Sequence, residues 1–220
     1  MASTTDAKTI IDKASLLLAD ASQSFWLLSE LLSWLNDGQR DIAVTIPQAN
    51  IKNSAVQLVA GVKQALPSDG ILLMDMPYNL GMAGTVIGTT INHVPKEIML
   101  KRIPGWTTTL PNGVVKHYVY TANDPLVFYV YPPQPITPRY VELVYSALPA
   151  LIPNANVGTK ITLPDYFQTA LLEYILFRAY SKDPENGNQM ALGQAHYQLF
   201  TTALSAKTAA ETKADPVASK

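Results

Sequence analysis

Three histidines, His93, His117 and His196, fall in three separate segments with neither HxxxH nor HxH spacing. Zinc takes three or four converging ligands, and no carboxylate cluster accompanies any of the three. The chain has no cysteine, which excludes disulfides, thiolate ligands and a cysteine nucleophile. No GxSxG elbow is present to expose a serine nucleophile. Gly81, Gly84 and Gly88 come nearest to a phosphate loop, but they lack the GxGxxG rhythm and a GK[ST] ending. They read as a flexible loop. Glycoside hydrolysis needs two carboxylates facing one bond; Asp69 with Asp75 and Asp37 with Asp41 are the available pairs, and the second is more simply a wet helix face. The expectation is a protein without catalysis, cofactor or metal.

Two cations stand out. Arg178 lies between Phe177 and Ala179 in the most apolar segment, and Arg40 closes the run Asn36-Asp37-Gly38-Gln39. Each either snorkels at a helix edge or forms a desolvated ion pair or carbonyl clamp that fixes one subunit against another. Arginine buried without a partner is very costly. Arg178 is therefore expected to be structural, so that its loss lowers stability and assembly together.

Charged residues make up 15% of the chain, against about 25% in ordinary soluble proteins. Low charge with 48% hydrophobic content suits a surface partly covered by other copies or partners. The 16 basic and 17 acidic residues are scattered. No basic stripe is long enough to neutralise a run of phosphates, so tight DNA binding is not expected. The first twelve residues lack the apolar core of a signal peptide. Residues 76–95 carry no charge over a membrane-helix length, yet Pro77, Asn79, Gly81, Gly84, Gly88 and Asn92 make them loop and strand.

These side chains need elements to hold them. Ile10, Ala14, Leu17 and Leu18 predict a helix over residues 5–20. Ser29 is the expected cap of a second helix running to about residue 44, with Leu31, Trp34, Leu35, Gly38 and Ile42 on its apolar stripe. Gly38 inside that stripe predicts a close backbone contact. The middle reads as short strands or brief turns at 56–60 and 70–74 and as strands at 85–94, 126–131 and 140–146. Pro111-Asn112-Gly113 is a hairpin turn between 106–110 and 114–121, and Pro132, Pro133, Pro135 and Pro138 form a stiff connection. An antiparallel meander follows. Pro164 opens a helix apolar nearly all round, so buried on more than one side. Asp183-Pro184-Glu185 opens the last helix, with Leu192, Ala195, Leu199 and Ala203 on one stripe and Tyr197, Phe200 and Leu204 alongside. The fold class is α+β: a helical bundle of N-terminal helices plus a C-terminal αα-hairpin (residues 1–54 and 162–208), a central antiparallel β-rich insert (55–161), and a flexible tail (209–220). Lacking aromatic or large aliphatic residues except Val217, the tail cannot offset its ordering entropy alone.

Three runs appear in order: Glu30-Leu-Leu-Ser-Trp-Leu-Asn-Asp-Gly-Gln-Arg40, Phe128-Tyr-Val-Tyr-Pro-Pro133 and Tyr174-Ile-Leu-Phe-Arg-Ala-Tyr-Ser-Lys-Asp183. With Gln64-Ala-Leu-Pro67, Val115-Lys-His-Tyr118, Asp124-Pro125 and Ala195-His-Tyr-Gln-Leu-Phe200, the set resembles the tailed-bacteriophage head-to-tail adaptor (connector) proteins. Each motif is short, and the resemblance covers nearly the whole chain, from about residue 14 to 205. The resemblance implies a homo-oligomeric ring, usually a dodecamer, that docks under the portal protein and presents a surface to the tail nozzle or tail tube. It implies a virion protein made in the host bacterial cytoplasm, with DNA passing through the lumen without sequence-specific binding, and no membrane. Trp34, Gln39, Arg40, Tyr174, Arg178 and Tyr180 are the interface or structural candidates in the matching runs; Lys213, Pro216 and Val217 are tail candidates for docking on the portal. Ala43-Val44-Thr45 is softer than a tight interface would carry. The alternatives are a tail-tube terminator or other tail assembly protein, and a soluble ligand-binding or enzymatic α+β domain.

Overall fold

The computed structural model describes residues 3–121, 123–137, 139–182 and 187–214. Its helices are α1 (Ala7–Leu17), α2 (Leu28–Thr45), α3 (Lys96–Arg102), α4 (Gln168–Tyr180) and α5 (Gly187–Ala214). Its strands are β1 (Ile51–Gln57), β2 (Gly61–Ala65), β3 (Gly70–Asp75), β4 (Tyr78–Leu80), β5 (Ile87–Thr90), β6 (Asn92–His93), β7 (His117–Tyr120), β8 (Val127–Gln134) and β9 (Tyr140–Ala147). The chain is α+β and divides into two compact units. A helical unit is built from the chain before Asn50 and after Leu148, and a β-rich unit comprises Asn50–Leu148. No described helix is long and apolar enough to cross a membrane.

In the helical unit α4 is the centre. Ala170, Leu171, Tyr174, Ile175, Leu176 and Ala179 are buried on it, and α1, α2 and α5 all pack against it. α1 contributes Ile10, Ile11 and Ala14, and α2 contributes Leu31, Leu35 and Ile42. Gly38 is where α2 meets α4: a Cβ there would stand 3.0 Å from Cδ1 of Tyr174 and 3.3 Å from Cδ2 of Leu171. The close contact expected at Gly38 is thus a helix crossing.

Several boundaries differ from the sequence expectation. α2 starts at Leu28, so Ser29 lies inside the helix rather than capping it. The Leu27 N–H instead donates to Oε2 of Glu30 at 3.2 Å. Pro164 precedes a short 3-10 turn, Asp165–Phe167, and α4 follows. Residues 149–161 belong to the helical unit, because Ile152 and Ile161 are buried in its core. α5 continues through Ala214, so residues 209–214 are helix where a flexible tail was expected. Alanine, lysine and glutamate are strong helix formers and need no apolar stripe to extend an existing helix. The helix start expected at 183–185 and the last six residues lie outside the described chain.

Two carboxylates fix the loops of this unit. Asp165 accepts the Ser3 hydroxyl at 2.6 Å and the backbone N–H groups of Thr4 and Thr5 at 2.9 and 3.1 Å. Asp20 accepts the N–H groups of Ser24, Phe25 and Trp26 at 3.0, 2.8 and 2.9 Å, ordering the turn that leads into α2. The free N–H groups at the start of α1 are met by the returning chain: Ala7 and Lys8 donate to the carbonyls of Thr159 and Val157, both at 3.0 Å.

The β-rich unit contains two sheets. One runs β1-β9-β4-β5, with β3 also pairing β9; the other runs β2-β8-β7-β6. Along β9, Val141, Leu143 and Tyr145 alternate into the core, which Leu73, Met76, Phe128 and Val130 complete. The buried Asn79 side chain joins the sheets: its Nδ2 donates to the Val115 carbonyl at 2.7 Å, and its Oδ1 accepts the Val115 N–H at 2.8 Å. The topology is not a meander, since β6 pairs parallel to β7 and the strand order crosses over. Nor is 106–110 a hairpin arm. Trp106–Thr108 is a 3-10 turn, and the buried Trp106 stands edge-on to Tyr129 at 6.3 Å. The Asn112 N–H donates to the Pro133 carbonyl, while its Oδ1 accepts the Val114 N–H at 2.9 Å. That local turn delivers β7 onto β8 instead. Pro132 and Pro133 lie within β8, and α3, built around the single buried Met99, had no counterpart in the sequence reading.

Hydrogen bonds from backbone and hydroxyl groups hold the Asp20 and Asp165 carboxyls well below the usual carboxylate range. For a depressed carboxyl the stabilisation is complete above the unfolded value of about 4 and is lost as pH falls below it. Asp20→Asn and Asp165→Asn should each melt several degrees below the parent at neutral pH. The gap should narrow as pH drops from about 4 toward 2. Thermal melts across that range check this; a gap independent of pH would contradict it.

Candidate functional site

The chemical candidates are structurally committed. His93 is exposed, 5.0 Å from the Tyr118 ring. His117 lies parallel to Tyr131 at 6.1 Å, and burial, then Lys116, holds it below its ordinary value. Nδ1 of His196 lies 2.6 Å from Glu173, with Tyr180 stacked on the ring at 5.4 Å. Among the described residues no three His, Asp or Glu converge as a metal site. Asp69 pairs with Lys52 and accepts the Tyr145 hydroxyl at 3.2 Å. Its hydrogen bond from Lys52 lowers the carboxyl and raises the amine. Asp75 accepts the Met76 N–H and the Tyr118 hydroxyl. Gly84 has φ +71°, and a Cβ there would lie 3.1 Å from the Tyr140 ring, so the glycine loop packs on Tyr140.

The interface candidates separate into buried and accessible groups. Gln39 is fully buried: its Oε1 accepts the Thr162 N–H at 2.9 Å. One turn earlier, Asn36 accepts the Ile152 N–H and donates to the Ile152 carbonyl, both at 3.0 Å. Together they clamp the returning chain onto α2, so Gln39 is not a surface contact. Tyr174 is buried too, between Gly38 and the Phe200 ring at 5.2 Å. Burial first, then Asp41, raises its phenol. Trp34 is half-buried against the helical core, as is Tyr180.

Arg178 is exposed on α4, the place a helix-edge side chain takes. The apolar side chains of α4 already fill the contacts with its neighbours, and position 178 falls on the remaining arc. Arg40 is half-buried, and its Nε is buried without a hydrogen-bond partner. It lines a groove of about 510 Å³ with Ser33, Asp37, Leu151 and Asn154. A second groove of about 420 Å³ lies between Val44 on α2 and Tyr197 and Leu204 on α5. Lys213 is in α5, and Pro216 and Val217 lie outside the described residues.

α5 is turned relative to the sequence expectation. Phe200 and Leu204 are buried, whereas Leu192 and Leu199 are 47% and 54% exposed. The cause is aromatic packing. Tyr197 meets Phe177 at 4.9 Å, and a Cβ at Gly193 would lie 2.9 Å from the Ser181 hydroxyl. The close approach at Gly193 and the larger ring area hold that side of the helix against α4. The leucines are left outside. In the β-rich unit the hairpin of β4 and β5 likewise exposes Met82, Val86 and Ile87.

A family model described as SU10 adaptor protein matches residues 5–220. Among curated proteins none matches the chain.

Gln39→Ala empties a fully buried site and leaves the Thr162 N–H without its acceptor, which costs about 1–3 kcal/mol of stability. Arg178→Ala removes an exposed side chain and should change stability by less than about 0.5 kcal/mol. Urea unfolding of the two variants checks the contrast; equal losses would show that Arg178 supports the fold.

Proposed function

The chain belongs to the SU10 adaptor protein family, and we propose that it is a structural virion protein whose copies form a ring between portal and tail. The observation that carries this reading is the family match across both units. The physical features agree with it. The helical unit displays Leu16, Leu17, Phe25, Leu192 and Leu199 to solvent, and such side chains suit a surface that other subunits cover. Asp20, Asp69, Asp75 and Asp165 are engaged in holding loops and strands, which suits a scaffold rather than a catalyst.

In this reading the portal protein binds one side of the ring and the tail nozzle or tube the other. A dodecamer is the ring size that the resemblance implies. DNA passes through the lumen, whose wall holds no phosphate tightly because basic and acidic residues are interspersed and nearly balanced. No cofactor takes part. The free chain need not form the ring before it meets the portal, because the portal supplies the symmetric template.

Size-exclusion chromatography with light scattering, with and without purified cognate portal protein, tests the proposal. A complex whose added mass corresponds to one chain per portal subunit is expected. A chain that never joins the portal at any mixing ratio would contradict it.

A further inference from the structure

The turn between α1 and α2 puts an aromatic ring in water and holds it there. Of the five phenylalanines in the chain, Phe25 alone is exposed, at 61%, and Leu27 near it is exposed too. The turn is stiff. Asp20 accepts the N–H groups of Ser24, Phe25 and Trp26. Ala19 and Gln23 stand at φ 56° and 53°, a left-handed conformation that residues with a side chain seldom adopt. Backbone held in that region by surrounding bonds marks a segment whose shape matters. Trp26 meets the Phe25 ring edge-on at 4.6 Å. A ring fixed in advance loses little entropy when a partner covers it.

The same unit carries a groove of about 420 Å³ that suits such a ring. Phe200 and Leu204 are its buried floor, and Val44, Thr45 and Tyr197 line its sides. Asp41 is the one charged side chain among the described lining residues, and none of the ion pairs among the described residues includes it. At the turn, the Lys182 ammonium stands over Phe25 at 5.3 Å. It donates to Glu30 and to the Phe25 carbonyl, which leaves the third of its N–H groups for an incoming acceptor. Ring and cation thus face apolar walls and a carboxylate. Other exposed apolar sites lack this combination. Residues 76–95, around Met82, Val86 and Ile87, hold no lysine or arginine. Beside Leu192 and Leu199 the titratable group is His196, which Glu173 engages. Leu110, Ile136 and, on α3, Ile98 and Leu100 are aliphatic. Tyr166 also lies under a lysine, Lys207, but its hydroxyl would enter an apolar floor.

We infer that Phe25 of one copy seats in the groove between α2 and α5 of the next, with Lys182 donating to Asp41 across the contact. The inference rests on the proposed reading that the protein works as a ring of copies, and it names the two surfaces that join them. Phe25 precedes the start of α2 and Val44 is near its end, so turn and groove lie about 24 Å apart along that helix. One copy cannot fill its own groove. Because the giving and receiving patches differ, each copy makes one contact of each kind, and the contact repeats from copy to copy as a ring requires.

Phe25→Ser and Val44→Lys test the two sides. Both positions are exposed, so each variant should melt as the parent does, while portal-templated assembly should weaken at least about tenfold, or about 1.4 kcal/mol per contact. The chain has no cysteine, so Ser24→Cys with Thr45→Cys puts one thiol at each patch. A short bifunctional thiol reagent, added to this doubly substituted chain on portals, should give a ladder of dimers, trimers and longer multimers in denaturing electrophoresis. Either cysteine alone should give none. Unchanged assembly of both Phe25→Ser and Val44→Lys overturns the inference while leaving the adaptor reading in place. Assembly of the two-cysteine chain without a ladder overturns it too, by giving the groove a different occupant, such as the portal or the chain's own last residues. Dimers from Ser24→Cys alone would place two copies turn to turn and also overturn it. A parent chain that never assembles on portals removes the adaptor reading and the inference together.

Discussion

The contact between Gly38 and Tyr174 is the constraint on which the helical unit depends. A Cβ at position 38 would stand only 3.0 Å from the ring, so the contact of α2 with α4 has no room for a larger residue. On its other side Tyr174 meets Phe200 of α5 edge-on. The ring therefore sets the spacing of three helices at once. α5 answers with its own glycine, Gly193, whose missing Cβ lets the helix sit against Phe177 and Ser181. Once aromatic rings occupy the inner side of α5, Leu192 and Leu199 have no place but outside.

The polar residues do a complementary task. A discontinuous unit has to hold a chain that leaves it at residue 49 and returns at 149. Asn36 and Gln39, one turn apart on α2, bond the returning backbone at Ile152 and Thr162, and that same segment supplies carbonyls to the bare N-terminus of α1. Asp165 then ties residues 3–5 to the start of α4. In the β-rich unit Asn79 makes an equivalent join between sheets. The helical unit thus uses Asn36, Gln39, Asp20 and Asp165 to tie its own loops while Leu16, Leu17, Leu192 and Leu199 stay on the surface, a distribution suited to repeated contact between subunits.

Much of the helical unit was legible in the sequence because its signals are local. The three-and-four spacing from Leu31 to Ile42, the glycine within it and the all-round apolar α4 each have one physical reading. Arg178 and Gln39 were less legible, since composition shows that a helix is apolar without showing which arc remains open. The stripe of α5 misled for a related reason. Leucine and aromatic seams ran side by side, and the choice between them lay in the fit of Gly193 against another helix. In the β-rich unit Pro111-Asn112-Gly113 signalled a turn correctly, but the strand that receives β7 is β8, set by the bond from Asn112 to Pro133 across the fold. α3 gave no signal because a seven-residue helix with one buried side chain has too little periodicity to detect.

Location in an assembled particle tests the central claim most directly. An antibody against the β-rich unit, applied to intact virions and viewed by electron microscopy, should mark one site per particle at the junction of head and tail. Label spread along the tail, confined to its far end, or absent from purified virions would contradict the account.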